Sequence, residues 1–449
     1  MTDLRSEIRD LITQYIKEKR SKASWTPGKD WVSYSGPLSD EKEIIAAVDV
    51  LLDEWLVFGE SARSFEKQFS RKLGKKNGVL TSSGSSANLL MFSAAKSRNL
   101  LGFEPGTKIL TPVVCFPTTI NPIIQNGFEP VFVDVELPSL NLNLDLVEAA
   151  LEKDPDIKGI AFAHVLGNPP DMDRLMRIVE KYDLIFFEDA CDALGSTYKG
   201  RLLGSFGYMS SCSFYPAHHM TMGEGGYIAT DDGAARRVLA SLREWGRDCY
   251  CSTATPNNGV IASACGDRFK EWLPGAPGIN YDHRYVYGEI GYNLKPTEMQ
   301  AAYGLEQIKK LPSMHLARRH NFTALSEVFQ PYSEFFHLPK ATDGADPSWF
   351  AFLLTVKDDA GFTREQIVRF LEKNKIQTRS YFGGNILVHP GYHYLAQQRE
   401  KPLNVEFPVA EQVTRNSFFV GTFGGITEEQ ITYIKTIVDK FFSIGLRVI

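Results

Sequence analysis

Apolar positions in the first twenty residues fall at helical spacing. Leu4, Ile8, Leu11, Ile12, Tyr15 and Ile16 predict an amphipathic opening helix in an otherwise charged segment. The stretch from Ser24 to Pro37 carries Trp, Pro and Gly and reads as irregular. Ser39 is the expected N-cap of the next helix, with acidic residues in its first turn and Ile44, Val48, Leu51, Leu52 and Trp55 along one face. From about Gly74 the texture changes. Short apolar runs (NGVL, TKILTPVV, PVFVDV, KGIAFAHV, DLIFFEDA) alternate with longer helical segments. Such runs predict buried strands in a mostly parallel sheet with helices on both faces. In sheets of this kind ligands sit beyond the carboxyl ends of the strands. Chemistry is therefore expected just after each run.

Further along, 297–329 reads as helical with Pro312 as its one strong break. The run FAFLLTVKD, a helix at 363–374 and a last helix at 427–444 predict a smaller α+β domain. The chain, 449 residues long, is long enough for two domains. The expected division is an N-terminal helix and arm over 1–38, a large domain over 39–312 and a small C-terminal domain over 313–449.

Composition narrows the function classes. Apolar residues at 43% and charged residues at 23% are ordinary for a globular protein. A net charge of −5 with no dense basic stretch argues against nucleic acid as a partner. The N-terminal twenty residues lack the apolar core of a signal peptide, and no run approaches the about 18 apolar residues of a membrane span. The reading is a soluble cytoplasmic protein without a membrane partner. Six cysteines in that setting are expected to be thiols, core residues or metal ligands rather than disulfides.

Several motifs follow the expected strands. In TSSGSSANLL, Gly84, Ser85 and Ser86 lie between a strand and a helix, where amides and small hydroxyls can hold phosphate; such turns are also often only turns. In FFEDACDALGS, Asp189 ends an apolar strand, where a carboxylate could keep a pyridine nitrogen protonated or simply be solvated. In SCSFYPAHHMTMGEGG, Ser213, Phe214 and Gly223-Glu224-Gly225-Gly226 resemble the DegT/DnrJ/EryC1/StrS family of sugar aminotransferases, whose pattern is Ser-Phe-x-x-x-Lys followed by Gly-Glu-Gly-Gly. GYNLKPTEMQAAYGLEQ resembles that family's Gly-x-Asn and Gln-Ala-Ala signature, and the likeness runs from about Asp40 to FPVAEQVTRNSFFVGTFGGITEEQ.

The resemblance implies an α/β, fold-type-I aminotransferase-like architecture: a large domain with a mixed, mostly parallel seven-stranded sheet plus a smaller α+β domain. It implies that Gly84, Ser85, Ser86 and Ser213 hold a cofactor phosphate. Phe116 would stack on the ring, Asp189 would pair with its nitrogen, and Asn293 would reach the cofactor of the neighbouring subunit in a homodimer. The family's Schiff-base lysine position holds His218. An imidazole forms no ordinary imine, so the cofactor is expected as pyridoxamine 5′-phosphate, or pyridoxal phosphate not covalently bound, with His218 as general base. Asp192 and Tyr215 are expected supports, and His219 a packing residue.

The resemblance leaves two lysine-less branches. GDP-4-keto-6-deoxymannose 3-dehydrases have no cluster and finish by hydrolysis, with glutamate as amino donor. CDP-4-keto-6-deoxyglucose 3-dehydrases bind a [2Fe–2S] cluster fed by a flavin- and iron–sulfur-containing NADH reductase. Here 57 residues separate Cys191 from Cys249, Cys251 completes Cys-x-Cys, and Cys265 follows after 13 residues where the branch has seven. The expected ligand set is Cys191, Cys249, Cys251 and Cys265, with Cys115 and Cys212 as core thiols; structural zinc is the other metal reading. The expected activity is removal of the carbon-3 hydroxyl of a nucleotide-linked 4-keto-6-deoxyhexose, CDP- or dTDP-linked, on the way to 3,6-dideoxyhexoses of surface polysaccharides. A catalytically inactive, ligand-sensing relative is the reading from another class. Trp349, Phe350, His389 and Tyr392 are expected near the sugar.

Overall fold

The computed structural model describes residues 2–249 and 268–443. The opening helix α1 (Thr2–Ser21) packs on α2 (Glu41–Leu52) through Arg5 and Arg9, which bind Asp49. The cap of α2 is Asp40 rather than Ser39: its carboxylate accepts from Lys42 N–H, and Glu43 caps back, completing a capping box. The expected apolar face is also narrower than the spacing implied. Leu51 and Leu52 are exposed, and Trp55 lies past the end of the helix.

Seven strands form the main sheet: β1 (Asn77–Thr81), β2 (Lys108–Pro112), β3 (Glu129–Val133), β4 (Ile157–Ala163), β5 (Ile185–Asp189), β6 (Met209–Ser213) and β7 (Gly226–Thr230). Their spatial order is β1-β7-β6-β5-β4-β2-β3, and only β7 runs against the rest. Alternate residues enter opposite layers, which is why these runs are apolar throughout. Leu80, Ile160 and Phe186 point to one core, Val79, Ala161 and Phe187 to the other. Helices α3 (Glu60–Phe69), α6 (Leu144–Lys153) and α7 (Met172–Lys181) cover the first face. The second is covered by α4 (Gly84–Lys96), α5 (Pro117–Gln125) and α8 (Gly233–Arg243).

A 32-residue helix, α9 (Glu298–Phe329), then runs from this sheet to a second one. Pro312 does not break it. Ile308, Leu311 and Met314 are buried around that exposed proline, and their packing outweighs the missing N–H. At its start the buried Glu298 accepts from Gly59 N–H at 2.7 Å and Ala62 N–H at 3.2 Å, capping α3. Its far half packs Leu325, Val328 and Phe329 under the four-stranded sheet β8 (Phe336–His337), β9 (Ala351–Val356), β10 (Arg379–Ser380) and β11 (Ser417–Gly421), ordered β8-β9-β11-β10. Helices α10 (Arg364–Lys373) and α11 (Glu428–Ser443) complete that core. Among the described residues no helix is long and apolar enough to cross a membrane.

Candidate active site

Because β7 is reversed, its first residue meets the last residues of its neighbours: Gly226 is in register with both Thr81 and Ser213. The turns after β1, β2, β5 and β6 therefore open on one edge. After β1, Ser83 caps α4 by accepting from Ser86 N–H at 3.0 Å, and the hydroxyls of Ser82 and Ser86 lie 3.0 Å apart. The backbone is unusually close here. A Cβ on Gly84 would come 2.5 Å from Ser213 Cβ, and one on Gly226 would come 2.0 Å from Ser83 O. Only glycine fits, and the result is a cradle of small side chains at a helix N-terminus, suited to a phosphate group. Ser85 is exposed and Ser213 buried, so the two line the cradle from different depths.

Asp189 ends β5 almost fully buried. One oxygen accepts from Asn88 Nδ2 and Thr119 Oγ1, each at 2.8 Å; the other accepts from Cys191 N–H at 3.1 Å and Ser211 Oγ at 3.3 Å. Two of these four donors are hydroxyls free to rotate, and Asn88 Oδ1 is buried without a partner. The carboxylate therefore has room for a ring N–H. Phe116 stands one turn before Thr119, half-exposed, with its ring 5.7 Å from that of Phe382. These residues fit a pyridoxal-type cofactor: small groups for phosphate, an aromatic face and an acid.

His218 lies in the loop between β6 and β7. Its Nδ1 is 3.2 Å from Asp192 Oδ1 but poorly aligned with it, so this is a close charge contact and not a formed hydrogen bond. Burial pushes the Asp192 carboxyl above the usual carboxylate range, with His218 working the other way. Tyr215 is half-exposed with its ring 6.5 Å from the imidazole, and the buried Phe350 ring is 5.5 Å away. His219 is turned into the core, where Nε2 meets Ser348 O at 2.5 Å, and burial next to Arg318 pushes its pKa well down. Trp349 stacks on Phe322, the ring centroids 4.0 Å apart. Segment 383–392 docks beside β2 through a Val114–Asn385 bridge, with His389 Nε2 on Gly383 O at 2.6 Å and Tyr392 donating to the Asn121 side chain.

The other expected residues are less fully placed. The Asn293 side chain is exposed, while its neighbour Leu294 accepts from Ser82 N–H at 2.8 Å, which sets the segment beside the cradle. Cys191 is partly accessible, and its sulfur is 3.9 Å from Ser211 Oγ; burial and the nearby Asp189 push its thiol pKa well up. Cys249 is partly accessible, whereas Cys115 and Cys212 are buried in the core. Cys251 and Cys265 lie outside the described residues. Among the described residues no group of three His, Cys, Asp or Glu side chains could hold a metal ion. Sequence reasoning missed Asn88, Thr119 and Ser211, which hold Asp189, and it missed Arg318, which lies behind His218.

The model of the DegT/DnrJ/EryC1/StrS aminotransferase family matches residues 37–439. The chain belongs to this family. Members similar to it include the lipopolysaccharide biosynthesis protein RfbH of Salmonella typhimurium, 40% identical with 99% of each chain covered. The dTDP-4-dehydro-2,6-dideoxy-D-glucose 3-dehydratase of Saccharopolyspora spinosa is also 40% identical, with 98% of this chain and 92% of that one covered. A solved structure of E. coli GDP-4-keto-6-deoxy-D-mannose-3-dehydratase with bound hydrated PLP superposes with a TM-score of 0.78 at 27% identity, covering 91% of this chain and 99% of that one. The DegT-family fold, that of pyridoxal-phosphate-dependent enzymes, is therefore shared over most of the chain.

Proposed function

We propose that this chain is a cytoplasmic nucleotide-sugar 3-dehydratase that binds pyridoxamine 5′-phosphate, or pyridoxal phosphate, without a covalent tether. The observation that carries this reading is the imidazole of His218 held 3.2 Å from the buried Asp192, in the loop that joins the two strands ending at the glycine-lined cradle. The family resemblance puts this histidine where a Schiff-base lysine would stand. The substrate would be a nucleoside-diphosphate-linked 4-keto-6-deoxyhexose, CDP-linked by the cysteine pattern. The names of the relatives from S. spinosa and E. coli support the reaction class.

Ser85, Ser86, Gly84 and Ser213 would hold the cofactor phosphate, Phe116 its ring face and Asp189 its ring nitrogen. When bound, the cofactor supplies an electron sink that acidifies the carbon attached to its amine. With Nδ1 turned to Asp192, Nε2 of His218 is the atom that takes this proton. The Asp192 carboxylate, close to Nδ1, stabilises the resulting imidazolium. The same Nε2–H then protonates the departing carbon-3 hydroxyl. Tyr215 offers a hydroxyl from the open side of the loop.

The reading further assigns a [2Fe–2S] cluster to Cys191, Cys249, Cys251 and Cys265, with electrons from a flavin- and iron–sulfur-containing NADH reductase. Cys191 fits by position: it lies two residues from Asp189, and the residue is partly accessible. The homodimer reading is supported by an exposed apolar stretch next to Asn293, namely Tyr285, Tyr287 and Ile290, the last 97% exposed. A second reading, the cluster-free hydrolytic dehydratase, is favoured by the match to the E. coli fold.

Iron and sulfide analysis of anaerobically purified protein, with EPR after dithionite reduction, separates the two. About two irons per chain, lost in Cys249→Ser, is the expected result. Iron-free protein that turns over with glutamate would establish the hydrolytic enzyme, and failure to bind pyridoxamine 5′-phosphate would point to an inactive relative.

A further inference from the structure

Midway along α9 stand three consecutive basic side chains: Arg318, Arg319 and His320. Two face outward, Arg319 onto Asp346 and His320 onto Glu428. Arg318 turns inward and is 3% exposed. Its guanidinium meets four main-chain carbonyls. Nη1 donates to Trp349 O at 3.3 Å and Phe350 O at 3.0 Å; Nη2 donates to Ala217 O at 3.4 Å and His218 O at 3.0 Å.

A buried guanidinium to which no carboxylate is bonded among the described residues is a costly choice for filling space, and an apolar side chain would pack there more cheaply. What a planar fork of donors achieves, and a methionine or leucine cannot, is to hold two separate backbone segments in fixed relation. One segment carries His218. The other carries Phe350, whose ring lies 5.5 Å from the imidazole, and leads into β9 of the second sheet. The side-chain contact between His218 and Asp192 is misaligned, so it does not fix the imidazole alone.

We propose that Arg318 is the positioning residue for His218, setting the imidazole through its own main-chain carbonyl and tying that setting to the seating of the second sheet. The inference rests on His218 being the base. Arg318 touches neither substrate nor cofactor in this assignment. Its effect is on where the His218 backbone stands, and so on how closely Nε2 can approach the reacting carbon.

Arg318→Lys and Arg318→Met in the full-length enzyme test it, with three readouts. These are the thermal midpoint with pyridoxamine 5′-phosphate affinity, steady-state kcat and KM, and the ¹H–¹³C ring resonance of His218 in the cofactor-free protein, assigned with His218→Asn. A lysine keeps the charge and some donors but cannot span both segments. Arg318→Lys should fold and bind cofactor and substrate within about twofold of the parent, yet lose about 10- to 100-fold in kcat and show a displaced or broadened His218 resonance. Arg318→Met should show the same resonance change more strongly; should it fail to fold, the lysine variant decides. Arg318→Lys with kcat within about twofold and an unmoved resonance overturns the proposal. So does joint loss of cofactor binding and thermal midpoint in both variants, which would make Arg318 a fold residue only. A His218→Asn enzyme with kcat within about tenfold of the parent removes the base assignment instead, a result distinct from either.

Discussion

In the proposed function His218 and Asp192 share the handling of a single proton, and each can be substituted outside the glycine-lined cradle. His218→Asn should lower kcat by about 10²- to 10⁴-fold, the usual worth of a positioned acid–base group, while cofactor titration stays unchanged. Asp192→Asn should give a smaller loss in single-turnover assays, because the imidazole remains but its charged form loses a partner. A different histidine contributes to acid stability. Burial, with Arg319 and Arg318 nearby, pushes His315 down to about 4. Unfolded, the same side chain titrates near 6.5, so between those values the unfolded chain binds more protons. Stability should therefore fall as pH drops through this window, with about 2 kcal/mol lost at pH 5 from His315. Denaturant melts of His315→Gln should show a shallower slope there; an unchanged slope would assign the acid limb to other groups.

Elements that read clearly from sequence are those whose pattern has one physical cause. DLIFFEDA had to be a strand, because its residues feed two cores, and its terminal acid had to face the ligand edge. Gly84 and Gly226 were legible as motif, and the structure supplies their reason, the near contact of three backbones. Gly226→Ala should weaken cofactor binding and cost about 1–3 kcal/mol in denaturant melts, since the new methyl meets Ser83 O. Arg318 was not legible. An Arg-Arg-His run on a long helix reads as a solvated face, and no periodicity tells which of two adjacent arginines turns inward. The partners of Asp189 were hidden for a related reason, since Asn88, Thr119 and Ser211 come from three separate elements that only folding brings together. The Ser39 cap failed because Asp40, one residue later, makes the stronger reciprocal box.

Seen as a whole, the molecule leaves Trp245, Tyr285, Tyr287 and Ile290 exposed around Asn293, joined by the Arg247–Tyr287 bridge and the Trp245 N–H bond to Tyr292 O. In the proposed dimer this patch is covered. Ile290→Asp should then shift the protein to monomer in light scattering and lower activity with it, and a variant that stays dimeric would place the contact elsewhere.

The loop that carries His218 begins and ends at one point on the sheet. Ser213 and Gly226 are register partners, and just beyond them Phe214 N–H donates to Gly225 O at 2.9 Å while Met222 N–H donates to Phe214 O at 3.0 Å. The strands are thus already sewn together beneath residues 215–221, whatever those residues are. That segment should therefore act as a cassette: a donor sequence of equal length from another family member, spliced in at the closed neck, should leave the strands that hold it paired.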